Sequence, residues 1–329
     1  MPITMSRPEA SGLDEAVHAV RDWQRDGTPV PLHPGDIGWY WRFGAQATAA
    51  AVRAWRQGGR IVAVGLLDGP GLVRLAVTPD ATDDEELAAV LAADIASPER
   101  GILAAGPAAV EARFGGPLRR LLADQGWEPG EPWTPLARDL AAPVAGGDLG
   151  ADGGLAASDL AASGPEVGDP EVGGLRASGL AAGGLGAGGL RVEVIGADGA
   201  RERAAVQRAA FDGSTFSAGR WQAMAAGPAY ADARCLVGRD DEGAAVAAAT
   251  AWSAGPGRPG LLEPAGVHRD HRRRGYGTAI TLAAAAMLRE LGASSAVVCT
   301  RAANTRAVAT YQAAGFRLFP DVPDLCRTA

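Results

Sequence analysis

The sequence predicts an α/β (α+β) protein made of two units of similar layout, each a mixed, mostly antiparallel sheet flanked by helices. Three observations lead there. In each half, hairpin-like strand patterns precede a run of strand, loop, helix, strand and helix, and that run closes on glycine plus an aromatic residue (Gly126-Trp127 and Gly315-Phe316). Between the halves the composition shifts to Gly, Ala, Leu, Asp and Ser, with near-repeats such as G-G-L-A-A-S in which no helix or strand period survives. The length, 329 residues, suits two domains. The expected boundaries are 1–143, a flexible linker over 144–189, and 190–329.

In the first unit the pattern predicts a helix over 45–57 and a strand over 60–67. D-G-P-G at 68–71 turns the chain into a second strand over 72–77. Thr82 with Glu85 forms a capping box ahead of a helix over 83–95, and 102–105 reads as a short strand. Pro117 and Gly126 bracket a further helix. The aromatic run G-W-Y-W-R-F, with Trp39, Tyr40, Trp41 and Phe43, fits either core packing or the lining of a shared cleft.

In the second unit a strand over 190–195 leads to a helix over 200–211, a loop over 212–216 and a second helical piece over 216–226. Strands over 233–238 and 244–253 follow, then a strand ending at Val267. The loop V-H-R-D-H-R-R-R-G-Y-G-T comes next, then an alanine-rich helix over 279–291. A β-branched strand over 296–300 delivers the chain to a last helix, which Asn304 caps and Gly315 ends.

The arginine–glycine loop is the most informative stretch. The first turn of a helix leaves N–H groups unpaired and carries partial positive charge. Gly275 and Gly277 remove side chains that would hold a ligand away from those groups, and Arg272, Arg273 and Arg274 add donors suited to phosphate. This reads as a pyrophosphate cradle. It is neither a P-loop nor a dinucleotide fingerprint, since G-x-x-x-x-G-K-[ST] and G-x-G-x-x-G are both missing.

A second motif, N-T-R-A-V-A-T-Y-Q-A-A-G-F, places Asn304, Ala307 and Tyr311 on one helix face. The ordered pair R-x-x-G-x-G, then N-x-x-A-x-x-x-Y-x-x-x-G-F, resembles the GNAT superfamily of acetyl-CoA-dependent N-acetyltransferases. The resemblance covers about 140 residues well, and the first half only by order of elements.

It implies transfer of acetyl from acetyl-CoA to a primary amine, with Val267, His268, Arg272, Arg273, Arg274, Gly275, Tyr276, Gly277, Thr278 and Asn304 on the cosubstrate. Tyr311 matches the usual general acid, and Glu263 stands where family members often carry the carboxylate that deprotonates the amine. A non-catalytic acyl-CoA sensor and a protein-modifying acetyltransferase remain the alternatives. In the first half, T-P-D-A-T-D-D at 78–84 puts acids where the cradle would need arginines and glycines, which predicts a degenerate copy.

Composition narrows the rest. A net charge of −7 opposes general nucleic-acid binding. All 31 basic residues are arginine, which excludes a lysine nucleophile. Three cysteines without C-x-x-C spacing and four histidines without H-E-x-x-H spacing predict no disulfide framework and no metal site. With no signal-peptide core and no membrane-length apolar run, the expectation is a cytoplasmic enzyme, monomer or homodimer.

Overall fold

The computed structural model describes residues 1–27, 29–144 and 189–328, so the expected linker falls, over 145–188, outside the described residues. The first half runs β1 (Ile3–Ser6), α1 (Leu13–Asp22), α2 (Pro34–Tyr40), α3 (Ala45–Ala51), β2 (Val52–Gln57), β3 (Arg60–Leu67), β4 (Leu72–Val77), α4 (Glu85–Ala96), β5 (Ala108–Glu111), α5 (Gly116–Asp124) and β6 (Glu128–Asp139). The second runs β7 (Arg191–Val194), α6 (Ala200–Ala210), α7 (Ala218–Ala225), β8 (Ala233–Arg239), β9 (Ala245–Trp252), β10 (Gly260–Val267), α8 (Tyr276–Glu290), β11 (Ser295–Arg301), α9 (Thr305–Ala313), β12 (Arg317–Leu318) and β13 (Val322–Arg327).

Three local expectations need correction. The helix over 45–57 stops at Ala51, and Val52–Gln57 is a strand paired with β1 and β3. Tertiary pairing wins there over an alanine-rich pattern that no Gly or Pro interrupts. The strand placed at 102–105 lies instead at Ala108–Glu111, after Pro107. The cap of α4 is Asp84, whose carboxylate accepts from the Leu87 amide at 3.0 Å, while the Thr82 hydroxyl bonds back to Pro79.

Both halves share one sheet, in the order β1-β2-β3-β4-β5-β13-β6-β11-β10-β9-β8-β7, with β12 also on β6. Only β4–β5 and β10–β11 are parallel pairs among the described strands. The middle of that order is an exchange. β13, from the end of the second half, inserts between β5 and the start of β6 in the first. The rest of β6, Thr134 to Asp139, lies between β11 and β12 of the second half. Each half thus completes its sheet with a strand from the other.

Side-chain packing repeats this sharing. Leu87, Leu91, Trp55 and Leu122 form a core of the first half that takes in Leu325 of β13, and Tyr276, Ile280, Leu288 and Phe316 one of the second that takes in Leu136 and Leu140. A third core joins Leu13, Ile37 and Trp41 to Phe216, Trp221 and Trp252 across the halves. Helix α2 is the main bridge. Added Cβ atoms on its Gly35 and Gly38 would stand 2.6 and 2.5 Å from Trp252, so only glycine allows this approach. The first half is therefore part of the second half's core.

Candidate active site

β10 and β11 stay paired only at Gly260–Ala296 and Leu261–Val297. Beyond that the strands part, and one edge of β10 from Leu262 to Val267 has no partner strand. α8 starts at the far end of the opening. Its N-cap, Gly275, has φ +83, and no side chain caps the first turn. The N–H groups of that turn therefore face outward beside an exposed loop, with the partial positive charge of a helix start.

The loop residues divide by role. Arg273, in the left-handed region at φ 66, and Arg274 are exposed and make no ion pair among the described residues. Arg272 is exposed too, but its Nη2 donates to the Ala210 carbonyl at 2.8 Å, tying the loop to the end of α6. Arg269 does the same at Ala209, at 2.9 Å. The Tyr276 side chain is buried in the core, so only its backbone lies at the loop. An added Cβ on Gly277 would come 3.1 Å from Thr310 of α9, so this glycine also lets α8 and α9 approach closely. Thr278 follows, partly buried in the first turn of α8. The amide of His268 is held by the Val246 carbonyl at 2.8 Å, and its ring accepts from the Asp270 amide at 3.3 Å. Val267 pairs with Ala247 on β9.

α9 closes the other wall. The Asn304 side chain accepts from the Ala307 amide at 3.3 Å, which makes it a helix cap. Two turns on, Tyr311 packs at 5.8 Å from Phe316, and its hydroxyl makes no hydrogen bond among the described residues. Burial first, then the Glu263 and Cys299 charges, push the phenol up to about 12. The proton stays on this oxygen across the physiological range.

Glu263 sits on the parted stretch of β10, with its carbonyl accepting the Trp252 indole N–H at 2.6 Å. Burial raises its pKa; Arg74 opposes this, and the Glu111 and Asp68 carboxylates add to it. The Asp36 carboxyl of α2 acts on it as well, so the candidate base lies within electrostatic reach of the first half.

Asp36 belongs to a buried charge network. Arg74 Nη1 lies 2.8 Å from Asp36 and its Nε 3.2 Å from Glu111, while Arg113 reaches Glu111 at 3.1 Å and Asp324 of β13 at 3.9 Å. Asp36, Glu111 and, at 3.8 Å, Asp68 surround the buried Arg74, and the Glu263 charge acts on it too. Burial chiefly, and then the neighbouring carboxylates, push Asp36 up to about 8 despite the guanidinium. In the sequence, H-P-G-D at 33–36 carried the local signal for this corner. His33 and Asp36 form a reciprocal capping box, the Asp36 carboxylate accepting the His33 amide at 2.6 Å. Nothing local shows that the same carboxyl meets Glu263.

The sequence model of the acetyltransferase (GNAT) family matches residues 208–316, which include the parted strands, the arginine loop and Tyr311. The chain carries a GNAT acetyltransferase domain. A tandem GNAT protein from the clavulanic acid biosynthesis pathway is similar over 99% of this chain and 98% of that one, at 15% identity and TM-score 0.52. A GCN5-related N-acetyltransferase from Sphaerobacter thermophilus covers 99% and 95% at 16% identity and TM-score 0.52. A GNAT acetyltransferase from Colwellia psychrerythraea covers 99% of both chains at 13% identity and TM-score 0.52. At such identities the likeness is one of fold, and it extends the tandem layout over both halves. No curated protein matches the chain. The matched family is one of acetyltransferases, and no helix among the described residues is long and apolar enough to cross a membrane.

Proposed function

We propose that the chain transfers acetyl from acetyl-CoA directly to the primary amine of a small molecule, in a ternary complex formed in the second half. The observation that supports this is the parting of β10 from β11, with Glu263 on the parted stretch, Tyr311 on the neighbouring α9 within reach of the Glu263 charge, and an uncapped helix start and unpaired arginines at the opposite end. The chain's residues fit acetyl-CoA there. Gly275 leaves the first turn of α8 open, and Arg273 and Arg274 supply charge to a pyrophosphate. The open edge of β10 near Val267 offers backbone groups to the pantetheine and the thioester oxygen, and Asn304 flanks it.

Glu263 then takes a proton from the bound ammonium, freeing the nitrogen to bond to the acetyl carbon as the carbon–sulfur bond breaks. Tyr311 gives its proton to the departing thiolate and regains, through water, the second proton that the nitrogen sheds on becoming an amide, while Glu263 releases its proton to solvent. Packing of α2 over Trp252 and Glu263 covers the acceptor side, which supports a small acceptor over a protein one. The unit boundaries proposed are 1–143, 144–189 and 190–329, the first unit being the degenerate copy. We place the enzyme in the cytoplasm, as a monomer or homodimer.

The test uses the full chain. Calorimetry should find one acetyl-CoA site, lost in Gly275→Glu, and a panel of amines should then be screened by thiol release. Two sites, or binding that survives Gly275→Glu, would refute the single-cradle reading. Turnover unaffected by both Glu263→Gln and Tyr311→Phe would refute the catalytic assignment.

A further inference from the structure

Two arginines, one from each half, meet around one aromatic ring with no carboxylate partner, and the Glu263 charge reaches the first of them. Arg42 follows α2 in the first half, and Arg220 lies on α7 in the second. The Arg42 guanidinium is sandwiched between aromatic rings, 4.4 Å from the Trp39 centroid and 4.3 Å from that of Phe43. Arg220 approaches the same Phe43 ring at 5.2 Å. Neither forms an ion pair among the described residues. Arg42 is tied by Nη1 to the Trp39 carbonyl at 2.7 Å, and Arg220 is hydrogen-bonded to Thr215.

This is a costly arrangement for the protein alone. Burial pushes Arg42 down to about 10, with Arg220 adding repulsion; Asp68 and Glu263 favour its charge but lie beyond ion-pair distance. A partly desolvated cation beside a second cation lacks the counter-charge that buried ions normally have. The scaffold beneath is packed across the two halves. Trp39 packs on Phe216 at 5.0 Å, and on the other face of that loop the fully buried Arg203 stands 5.6 Å from Phe216, its Nε without a hydrogen-bond partner. Planar guanidinium forks fixed by stacking suit a planar anion. On the Glu263 side the charge is reversed, with the Asp36, Asp68 and Glu263 carboxyls together.

We propose that the acceptor is an amine that also bears a carboxylate, and that Arg42 and Arg220, one from each half, bind that carboxylate while the amine faces Glu263. The proposal rests on the reading of Glu263 as the base. It assigns the first half a place in acceptor recognition.

The experiment uses the full chain, saturating acetyl-CoA and thiol release. The probes are the standard amino acids, each set beside its decarboxylated amine, and aminoalkylphosphonates of matching length. One or more amino acids should be acetylated while the decarboxylated partners are not. Arg42→Gln and Arg220→Gln should each raise KM for that amino acid roughly ten- to a hundredfold, as for one lost charge-assisted hydrogen bond. In both variants kcat should stay within about threefold, and acetyl-CoA binding should be unchanged.

Equal turnover of the decarboxylated amines, preference for the phosphonates, or unchanged KM in both folded variants overturns the proposal. So does acetyl-CoA binding without turnover of any amino acid. Loss of acetyl-CoA binding by the unmodified chain would instead remove the reading beneath it, and Glu263→Gln with full activity would remove the base alone. Arg220 is the safer variant for folding, being anchored only at the surface, so a misfolded Arg42→Gln leaves the test intact.

Discussion

The two halves put the same backbone to different use at the same place. α5 and α9 are both nine-residue helices that end in a left-handed glycine followed by a buried aromatic, Gly126-Trp127 and Gly315-Phe316. The Trp127 amide bonds to the Leu122 carbonyl at 3.0 Å, and the Phe316 amide to the Tyr311 carbonyl at 3.0 Å. Leu122 therefore stands where Tyr311 does, and Gly115 where Asn304 does. The loops after β4 and β10 diverge in the same way. The helix start that Gly275 leaves open in one half is closed in the other by the Asp84 carboxylate on the Leu87 amide. Asp80 lies in that loop and is held by Arg60. What separates the halves is side-chain chemistry on a common frame: one helix start has no side-chain cap, and the other is capped by its own aspartate.

The largest test of this contrast is Gly275→Glu. A carboxylate at the open turn should weaken acetyl-CoA binding by at least about a hundredfold, through steric block and repulsion, as read by calorimetry. A loss below tenfold would mean that α8 is not the phosphate site. Asp84→Gly, the reciprocal change, should create no second site, because the first half lacks the arginines.

Next comes Tyr311→Phe. Loss of a positioned acid costs on the order of 10²–10⁴ in rate, so kcat should fall within that range while acetyl-CoA binding is kept. Leu122→Tyr in the same background should restore nothing, and recovery of activity would show the first half to be a usable site.

Glu263 sets a pH test. Its pKa is raised, and its base form is lost as pH falls through that value. The acid limb of kcat/KM should therefore lie above the ordinary glutamate value of about 4.3. In Glu263→Gln that limb should vanish along with about a hundredfold of activity. An unchanged limb would assign it to another group.

Smaller effects probe the seam between the halves. Asp36 titrates at about 8 when folded, against 3.8 for the free group, so the folded state binds the extra proton between those values. The stability this carboxyl contributes is fully present below 3.8 and is lost as pH rises through about 8. Asp36→Asn cannot titrate, so its Tm should gain on that of the parent by a few degrees between pH 5 and pH 9. A Tm difference independent of pH would show Asp36 to be ionised throughout. The smallest effect is Asp84→Ala, which should cost about 1 kcal/mol in urea denaturation and leave activity untouched.

The readable parts of this chain were those that rest on neighbours in sequence. The helix from Asn304 to Gly315 was legible because its cap, its stop and its spacing lie within a dozen residues, and the same is true of the glycine turn before α8. β6 and β13 were not legible. β6 contains Pro129, Pro132 and Pro135, which argue against a strand. Their pairing partners lie in the opposite half, at separations no local pattern encodes. The same limit hid the meeting of Asp36 with Glu263, and that of Arg42 with Arg220.

The exchanged strands also bear on how the protein is made. β13 leaves the ribosome after the other described strands of the sheet, yet it fills a gap in the half that was synthesised first. Until then β5 keeps an unpaired edge and the Arg113–Glu111 pair lacks Asp324. The first half waits, open-edged, through synthesis of the whole second half. A ribosome that stalls late would release a chain with most of its residues present and two sheet edges exposed, a substrate for chaperones or for aggregation.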